Sequence, residues 1–72
     1  MASENSEIQR KKLGKILFDA RKAANLTQKQ VAEVSEVHKN FYARVERGVE
    51  NPSFEKLQKI MKALKIKSID LL

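Results

Sequence analysis

The stretch TQKQVAEVSEVHKNFYARVERG, from Thr27 to Gly48, holds two short amphipathic segments with almost nothing between them. Thr27 and Gln30 have the spacing of a capping box, in which a hydroxyl and an amide satisfy each other's backbone donors and start a helix. This helix is predicted to reach about Val34, and a further one to occupy about residues 39–47 before Gly48 ends it. Both are shorter than the roughly 12 to 15 residues that an isolated helix needs in water. Tertiary packing must therefore hold them.

The segments on either side also have helical periodicity. Between Leu13 and Ala24, apolar residues recur at i, i+3, i+4, i+7 and i+11, which predicts a first helix over about residues 7–25. Asn25 suits the left-handed position at its end. Ser53 is a good N-cap for a fourth helix, and residues 68–72 can form a last turn or two. We therefore expect an all-α domain over residues 7–72, preceded by a flexible N-terminal arm at residues 1–6.

Composition narrows the class of protein. The 72 residues fit one domain, and the absence of cysteine excludes disulfides and thiolate metal sites. No run approaches the roughly 18 apolar residues of a membrane span, and there is no N-terminal signal, so a cytoplasmic protein without a membrane partner is expected. Fifteen Lys and Arg against nine Asp and Glu give a net charge of +6, which favours a polyanionic partner. Charge alone does not separate DNA from RNA or acidic lipid.

The short break between the second and third helices indicates a purpose for the third. Two short helices joined in this way cross steeply. A scaffold of other helices behind the pair lets the later one, the third helix, protrude into a DNA major groove. The informative segments are LGKIL with Ala20 and Arg21, LTQKQVA, RVERG, NPSFEKLQKIMKAL and the closing IDLL. In their order and spacing over about residues 13–72, they resemble the phage repressor and Cro type of helix-turn-helix domain, also called the xenobiotic response element family. The resemblance implies a compact five-helix, lambda-repressor-like fold whose third helix reads bases.

Contacts inside the motif can also be predicted. Its inner face is expected to consist of Val31, Val37, Tyr42 and Val45. The small side chain of Ala32 would admit a close approach of the two helices. The resemblance implies an ion pair between Arg21 and Glu46 across helices one and three, the alternative being two unrelated surface charges.

Some positions depart from the family pattern. Glu36 stands where the turn usually has glycine, so either Glu36 is left-handed at a cost or the turn takes a helical shape. His38 replaces a small hydroxyl cap and ranks lower as a cap. It is also the sole histidine, so no metal site is expected. Ile16, Phe18 and Val34 stand where the family usually has polar residues, and they would mark a protein contact if they cluster.

The outward side of the third helix carries the predicted reading residues. Those expected to reach base edges are Lys39, Asn40, Ala43 and Arg44. Lysine or arginine suits guanine, asparagine suits adenine, and a methyl group can touch thymine, whereas the alternative is an ordinary solvated face. Contacts to the DNA backbone are expected from Gln28, His38, Phe41, Arg47, Asn51, Ser53 and Lys56. Gln28 resembles the phosphate-binding glutamine of the family, and Phe41 could equally cover the scaffold.

A homodimer is expected, because one small module buries only about 600 to 1,000 Å² on DNA. Its two recognition helices would address half-sites about 34 Å apart. The candidates for the dimer contact are Ile66, Ile69, Leu71 and Leu72, which could equally close the monomer core.

The predicted function is a sequence-specific transcriptional regulator of double-stranded DNA, acting as a repressor or autoregulator on a two-fold symmetric operator. The alternative is a protein-interaction module, such as a toxin-neutralising antitoxin or a restriction-modification controller. An enzyme is not expected, because the chain has no paired carboxylates in a plausible cleft, no nucleophile with a histidine base and no glycine-rich phosphate loop. No cofactor and no small-molecule ligand are expected.

Overall fold

The computed structural model describes the backbone of residues 2–66 and the side chains of residues 6–66. These residues form four helices, α1 (Ala2–Ala23), α2 (Gln28–Ser35), α3 (Lys39–Arg47) and α4 (Phe54–Ala63), and no strand. The all-α class is confirmed, although the described residues hold four helices rather than five. The predicted last turn at residues 68–72 lies outside them.

The first helix begins earlier than predicted. It starts at Ala2 rather than near residue 7. No glycine or proline that would interrupt a helix occurs in the sequence before Gly14. That the arm at residues 1–6 is flexible stays a prediction. At the other end, Asn25 has a φ of 62°, which confirms the left-handed residue predicted after this helix.

The turn between α2 and α3 takes one of the two shapes that the sequence left open. Glu36 is left-handed, with φ 61° and ψ 38°, and its N–H donates into the last turn of α2. The N–H of Val37 also donates to the carbonyl of Ala32 at 3.0 Å. The Glu36 carboxylate lies 3.2 Å from the ammonium of Lys59 on α4, but both side chains are exposed, so this pair adds little stability.

Each later helix begins at a side-chain cap. The capping box at α2 is confirmed, because Thr27 Oγ1 accepts from the Gln30 N–H at 3.0 Å and Gln30 Oε1 accepts from the Thr27 N–H at 2.8 Å. The hydroxyl of Ser53 caps α4 as predicted. His38 caps α3 through Nδ1, which accepts from the Asn40 N–H at 3.0 Å. This bond needs a neutral ring with its proton on Nε2.

One buried cluster joins the four helices. Its members are Leu13, Leu17, Val31, Ala32, Tyr42, Val45, Ile60 and Leu64. The predicted inner face of the motif is confirmed, because Val31, Tyr42 and Val45 are fully buried and Val37 packs against them. Helix α3 packs on α1 and α2, and α2 packs on α4. The core therefore lies on one side of α3, the side that carries Tyr42 and Val45.

Helices α1 and α3 cross at Gly14. A Cβ atom at this position would collide with the carbonyl oxygen of Glu46 and would lie 2.8 Å from that of Val45. Only a hydrogen atom fits between the two backbones, so Gly14 sets how closely α1 approaches α3.

Candidate nucleic-acid interface

The side of α3 that faces away from the core carries a stripe of four residues. Because successive helical residues are rotated by about 100°, Asn40, Ala43, Arg44 and Arg47 lie opposite the buried Tyr42 and Val45. Asn40 and Arg47 are exposed, whereas Ala43 and Arg44 are half-buried. We call these four residues the outer stripe. The structure thus brings together three of the four predicted base-reading residues, with Arg47 beside them.

Lys39, the fourth predicted base-reading residue, lies at the edge of this stripe. It is exposed and lines an open groove of about 560 Å³ beside the start of α2. Lys22 and Lys29 line the same groove, although the sequence analysis singled out neither. Lys39 is therefore placed toward the flank of α3 rather than at its centre.

Arg44 has an acidic neighbour that the sequence did not reveal. Its Nε donates to Oε1 of Glu50 at 3.0 Å, and the two side chains are 43% and 32% exposed. Glu50 follows α3 in the loop that leads to α4. Arg44 and Glu50 are six residues apart, and α3 ends between them. Because the chain after a helix end has no regular geometry, the sequence spacing does not predict this contact.

The Arg21 and Glu46 side chains form a nearly buried ion pair between α1 and α3. Arg21 Nε lies 2.6 Å from Glu46 Oε2, Nη2 donates to Oε1 at 3.2 Å, and the side chains are only 11% and 4% exposed. Arg21 Nη1 also donates to the carbonyl of Leu26 at 2.9 Å. The pair ties α3 to α1.

The surroundings of this pair shift three pKa values. Burial by itself would raise the pKa of Glu46, but hydrogen-bond donors, Arg21 foremost, outweigh it and lower this pKa below its ordinary value. The hydrogen bond to Glu46 raises the pKa of Arg21. Burial, reinforced by the Glu46 carboxylate, raises the pKa of Tyr42. The Tyr42 hydroxyl lies buried near the pair without a hydrogen bond of good geometry. All three groups therefore keep their neutral-pH charge states.

Gln28 has a structural partner as well as its predicted place at the start of α2. Its amide nitrogen donates to Glu46 Oε1 at 2.9 Å, and the residue is half-buried. It shares an open groove of about 600 Å³ with Lys11, Lys15 and Arg47. Sequence reasoning missed the two lysines, whose only signal was their four-residue spacing on α1. The groove gathers positive charge on the side of α2 that faces the outer stripe's Arg47.

Helix α4 supplies the other flank. Phe41 packs partly against the core, and the ammonium of Lys56 lies 4.7 Å from the centre of its ring. Phe41 thus covers part of the scaffold, and its predicted contact with the DNA backbone stays a prediction. Ser53 and His38 act as helix caps, and Asn51 is exposed in the intervening loop.

The remaining apolar candidates differ in how far their side chains are exposed. Ile66 is half-buried and packs against the core, whereas Ile69, Leu71 and Leu72 lie outside the described residues. Ile16 is half-buried. Phe18 is 42% exposed, with the guanidinium of Arg21 5.4 Å from its ring centre. Val34 is 68% exposed. Of the dimer candidates, the described part of the chain includes only Ile66, and the dimer contact stays a prediction.

Comparison with protein families decides what this arrangement is. A family model described as helix-turn-helix matches residues 17–72, which include the turn and all of α2, α3 and α4. The chain belongs to the Cro-type helix-turn-helix family. The comparison with curated proteins found no match, and neither did the comparison with solved structures.

Membership gives the protein its general role. This helix-turn-helix family consists of DNA-binding transcription regulators and is not a family of enzymes. The match includes both helices of the predicted motif, α2 and α3. Among residues 2–66, no helix is both long and apolar enough to cross a membrane.

Proposed function

We propose that this helix-turn-helix protein is a homodimeric repressor or autoregulator that binds a two-fold symmetric operator in the cytoplasm. The observation that carries the proposal is the outer stripe of α3. Its polar side chains point away from the core, and the other sides of α3 are held by the core and by the ion pair with α1. Asn40 has the amide geometry for adenine, Arg44 has that for guanine, and the methyl of Ala43 can touch thymine. Lys39 contacts bases from the edge of the stripe.

The flanks of α3 supply the contacts to phosphates. On one side are Gln28 and the basic groove with Lys11, Lys15 and Arg47. On the other side are Asn51 and Lys56, near the N-terminus of α4. Such contacts orient the protein on the duplex without reading its sequence. The backbone N–H groups at the start of α2 add a positive dipole end to the first cluster.

The size of the domain supports dimerisation. A module of this size buries only about 600 to 1,000 Å² on DNA, which is little for a specific complex. Two copies related by a two-fold axis would place their α3 helices in successive major grooves, about 34 Å apart. The C-terminal apolar residues are the proposed contact, namely Ile66, Ile69, Leu71 and Leu72.

The deciding experiment is selection of bound sequences from random duplex DNA, followed by gel-shift titration. We expect a consensus with two-fold symmetry whose half-sites are one helical turn apart. Raising the salt from about 50 to 200 mM should weaken binding by roughly 10³-fold or more if about six phosphates are neutralised. Weak binding without sequence preference would instead support a protein-interaction module, such as an antitoxin or a restriction-modification controller.

Two matched substitutions test the assignment of contacts. Lys56→Ala should weaken binding to operator and random duplexes alike, because a phosphate contact carries no sequence information. Lys62→Ala removes the same charge from the far end of α4 and should have a smaller effect. Loss of discrimination at one base pair on Lys56→Ala would contradict the assignment of Lys56 to the backbone.

A further inference from the structure

The loop after α3 contains a carboxylate where a DNA-binding surface would be expected to carry only positive or neutral groups. Glu50 lies against Arg44, with its Oε1 3.0 Å from Arg44 Nε. Both side chains are partly buried, at 32% and 43% exposure, so they are neither free surface charges nor a core pair. An acidic group at this place opposes the approach of any polyanion.

The contact uses one particular edge of the guanidinium. Arginine has five N–H donors in a planar fork, of which Nε carries one and the two terminal nitrogens carry four. Among the described residues, Glu50 is the only hydrogen-bond partner of the Arg44 side chain, and it engages Nε alone. The carboxylate therefore occupies the side edge of the fork and leaves the end with both terminal nitrogens free.

The free end matches one base. Guanine presents two adjacent acceptors, O6 and N7, in the major groove, and arginine binds them through two parallel hydrogen bonds. An unrestrained arginine loses considerable side-chain entropy when it is fixed in that geometry. An arginine already held at Nε has lost part of this freedom before DNA binds, and its plane is restricted by the carboxylate.

We propose that Glu50 is a positioning residue for Arg44, holding the guanidinium so that its two terminal nitrogens read a guanine at one position of each half-site. The proposal rests on the proposed function, because it assumes that α3 enters the major groove. It assigns to Glu50 two effects of opposite sign. Glu50 lowers the affinity for every duplex through its charge, and it raises the preference for guanine through Arg44.

Two substitutions at one residue separate these effects. Glu50→Gln and Glu50→Ala remove the same charge, but glutamine keeps an oxygen that can accept from Nε and alanine does not. Binding is measured by gel shift with purified full-length protein on three duplexes: the selected operator, the operator with the Arg44-dependent guanine replaced, and random DNA. Arg44→Ala identifies which guanine depends on Arg44, and thermal unfolding checks that each variant is folded.

Both variants should bind random DNA more tightly than the unchanged protein, by about twofold or more, because a repulsive charge is gone. A bidentate arginine contact discriminates by roughly 5- to 150-fold between the right and wrong base. Glu50→Ala should reduce this discrimination ratio by at least about threefold, whereas Glu50→Gln should keep most of it. In an Arg44→Ala background, neither change at Glu50 should alter the preference at this base pair.

Equal discrimination by the alanine variant and the unchanged protein would overturn the proposal. So would equal losses in the alanine and glutamine variants, because the charge alone would then be responsible. Failure of the proposed function has a different signature, since the unchanged protein would then select no symmetric consensus at all.

Discussion

The ion pair between Arg21 and Glu46 permits a quantitative test of how α1 holds the recognition helix. We expect Glu46→Leu to destabilise the protein by about 3 kcal/mol, the lower end of the range for breaking a buried pair from one side. The reason is that Arg21 stays charged while only 11% of its side chain is exposed. The lower end applies because Arg21 keeps its bond to the Leu26 carbonyl at 2.9 Å and can turn partly towards water.

This loss would be large for so small a domain. At about 0.05 to 0.15 kcal/mol per residue, a chain of this length has roughly 4 to 11 kcal/mol of total stability. Urea unfolding followed by circular dichroism gives the free energy of unfolding and its slope for each variant. Arg21→Met should also destabilise, because Glu46 then loses two of its hydrogen bonds. The double variant, Arg21→Met with Glu46→Leu, should recover most of the loss, since apolar pairs of similar size replace buried ion pairs well.

The double-mutant cycle supplies the refutation. A coupling energy of about 2 kcal/mol or more is expected between the two positions. If each single variant loses less than about 1 kcal/mol of unfolding free energy, the two residues form an ordinary surface pair. If the losses of the two single variants add up to that of the double variant, the two residues act independently. Either outcome would mean that the buried core and the close backbone contact at Gly14, rather than the ion pair, hold α3 on α1.

Three further changes test separate parts of the fold. Gly14→Ala should lower the unfolding free energy by about 1 to 3 kcal/mol in a urea titration, because the collision with the Glu46 carbonyl exceeds the gain of roughly 1 kcal/mol in helix propensity; a stabilised variant would show that the helices can move apart. Glu36→Gly should raise the melting temperature by a few degrees, through relief of roughly 0.5 to 1 kcal/mol at a φ of 61°, and an unchanged or lower value would indicate that the pair with Lys59 matters more than the backbone. The pKa of Glu46 is lower in the folded protein than in the unfolded chain, so its contribution is complete above the unfolded pKa and is lost as the pH falls through the folded one. Acid titrations should therefore show stability declining below about pH 4, less steeply in the double variant described above, and equal slopes would exclude this carboxylate as the cause.

Much of the fold could be predicted because its signals are local. Thr27 and Gln30 act on each other across three residues, Gly48 ends α3 by its own backbone conformation, and Ser53 caps the helix that follows it. Helical periodicity alone also distinguishes the buried side of α3 from its outer stripe. The sequence marks Glu36 as an unusual residue for the turn, but both a left-handed and a helical backbone are compatible with it.

The parts that escaped prediction depend on distances between helices. Gly14 looked like an ordinary member of a motif, and only the crossing of α1 and α3 shows that no side chain fits there. Lys11 and Lys15 join Gln28 in one groove only because α1 and the start of α2 both lie against α3. Glu50 meets Arg44 only because the chain turns back after Gly48. Sequence spacing carries none of this information.

The contacts that hold α3 in place and the residues proposed to read DNA lie on different sides of this helix. One side is held by the contact at Gly14 and by the ion pair of Glu46 with α1, and Phe41 joins the scaffold on the flank towards α4. A rotation of α3 by about 100° would be needed to bring the next residue to the same orientation, and such a rotation would break all three contacts. The helix therefore cannot turn about its own axis. The groups that it presents to a partner depend only on which side chains occupy the outer stripe. Glu50 extends the same logic to a single side chain, because it restricts Arg44 just as α1 restricts the helix that carries it.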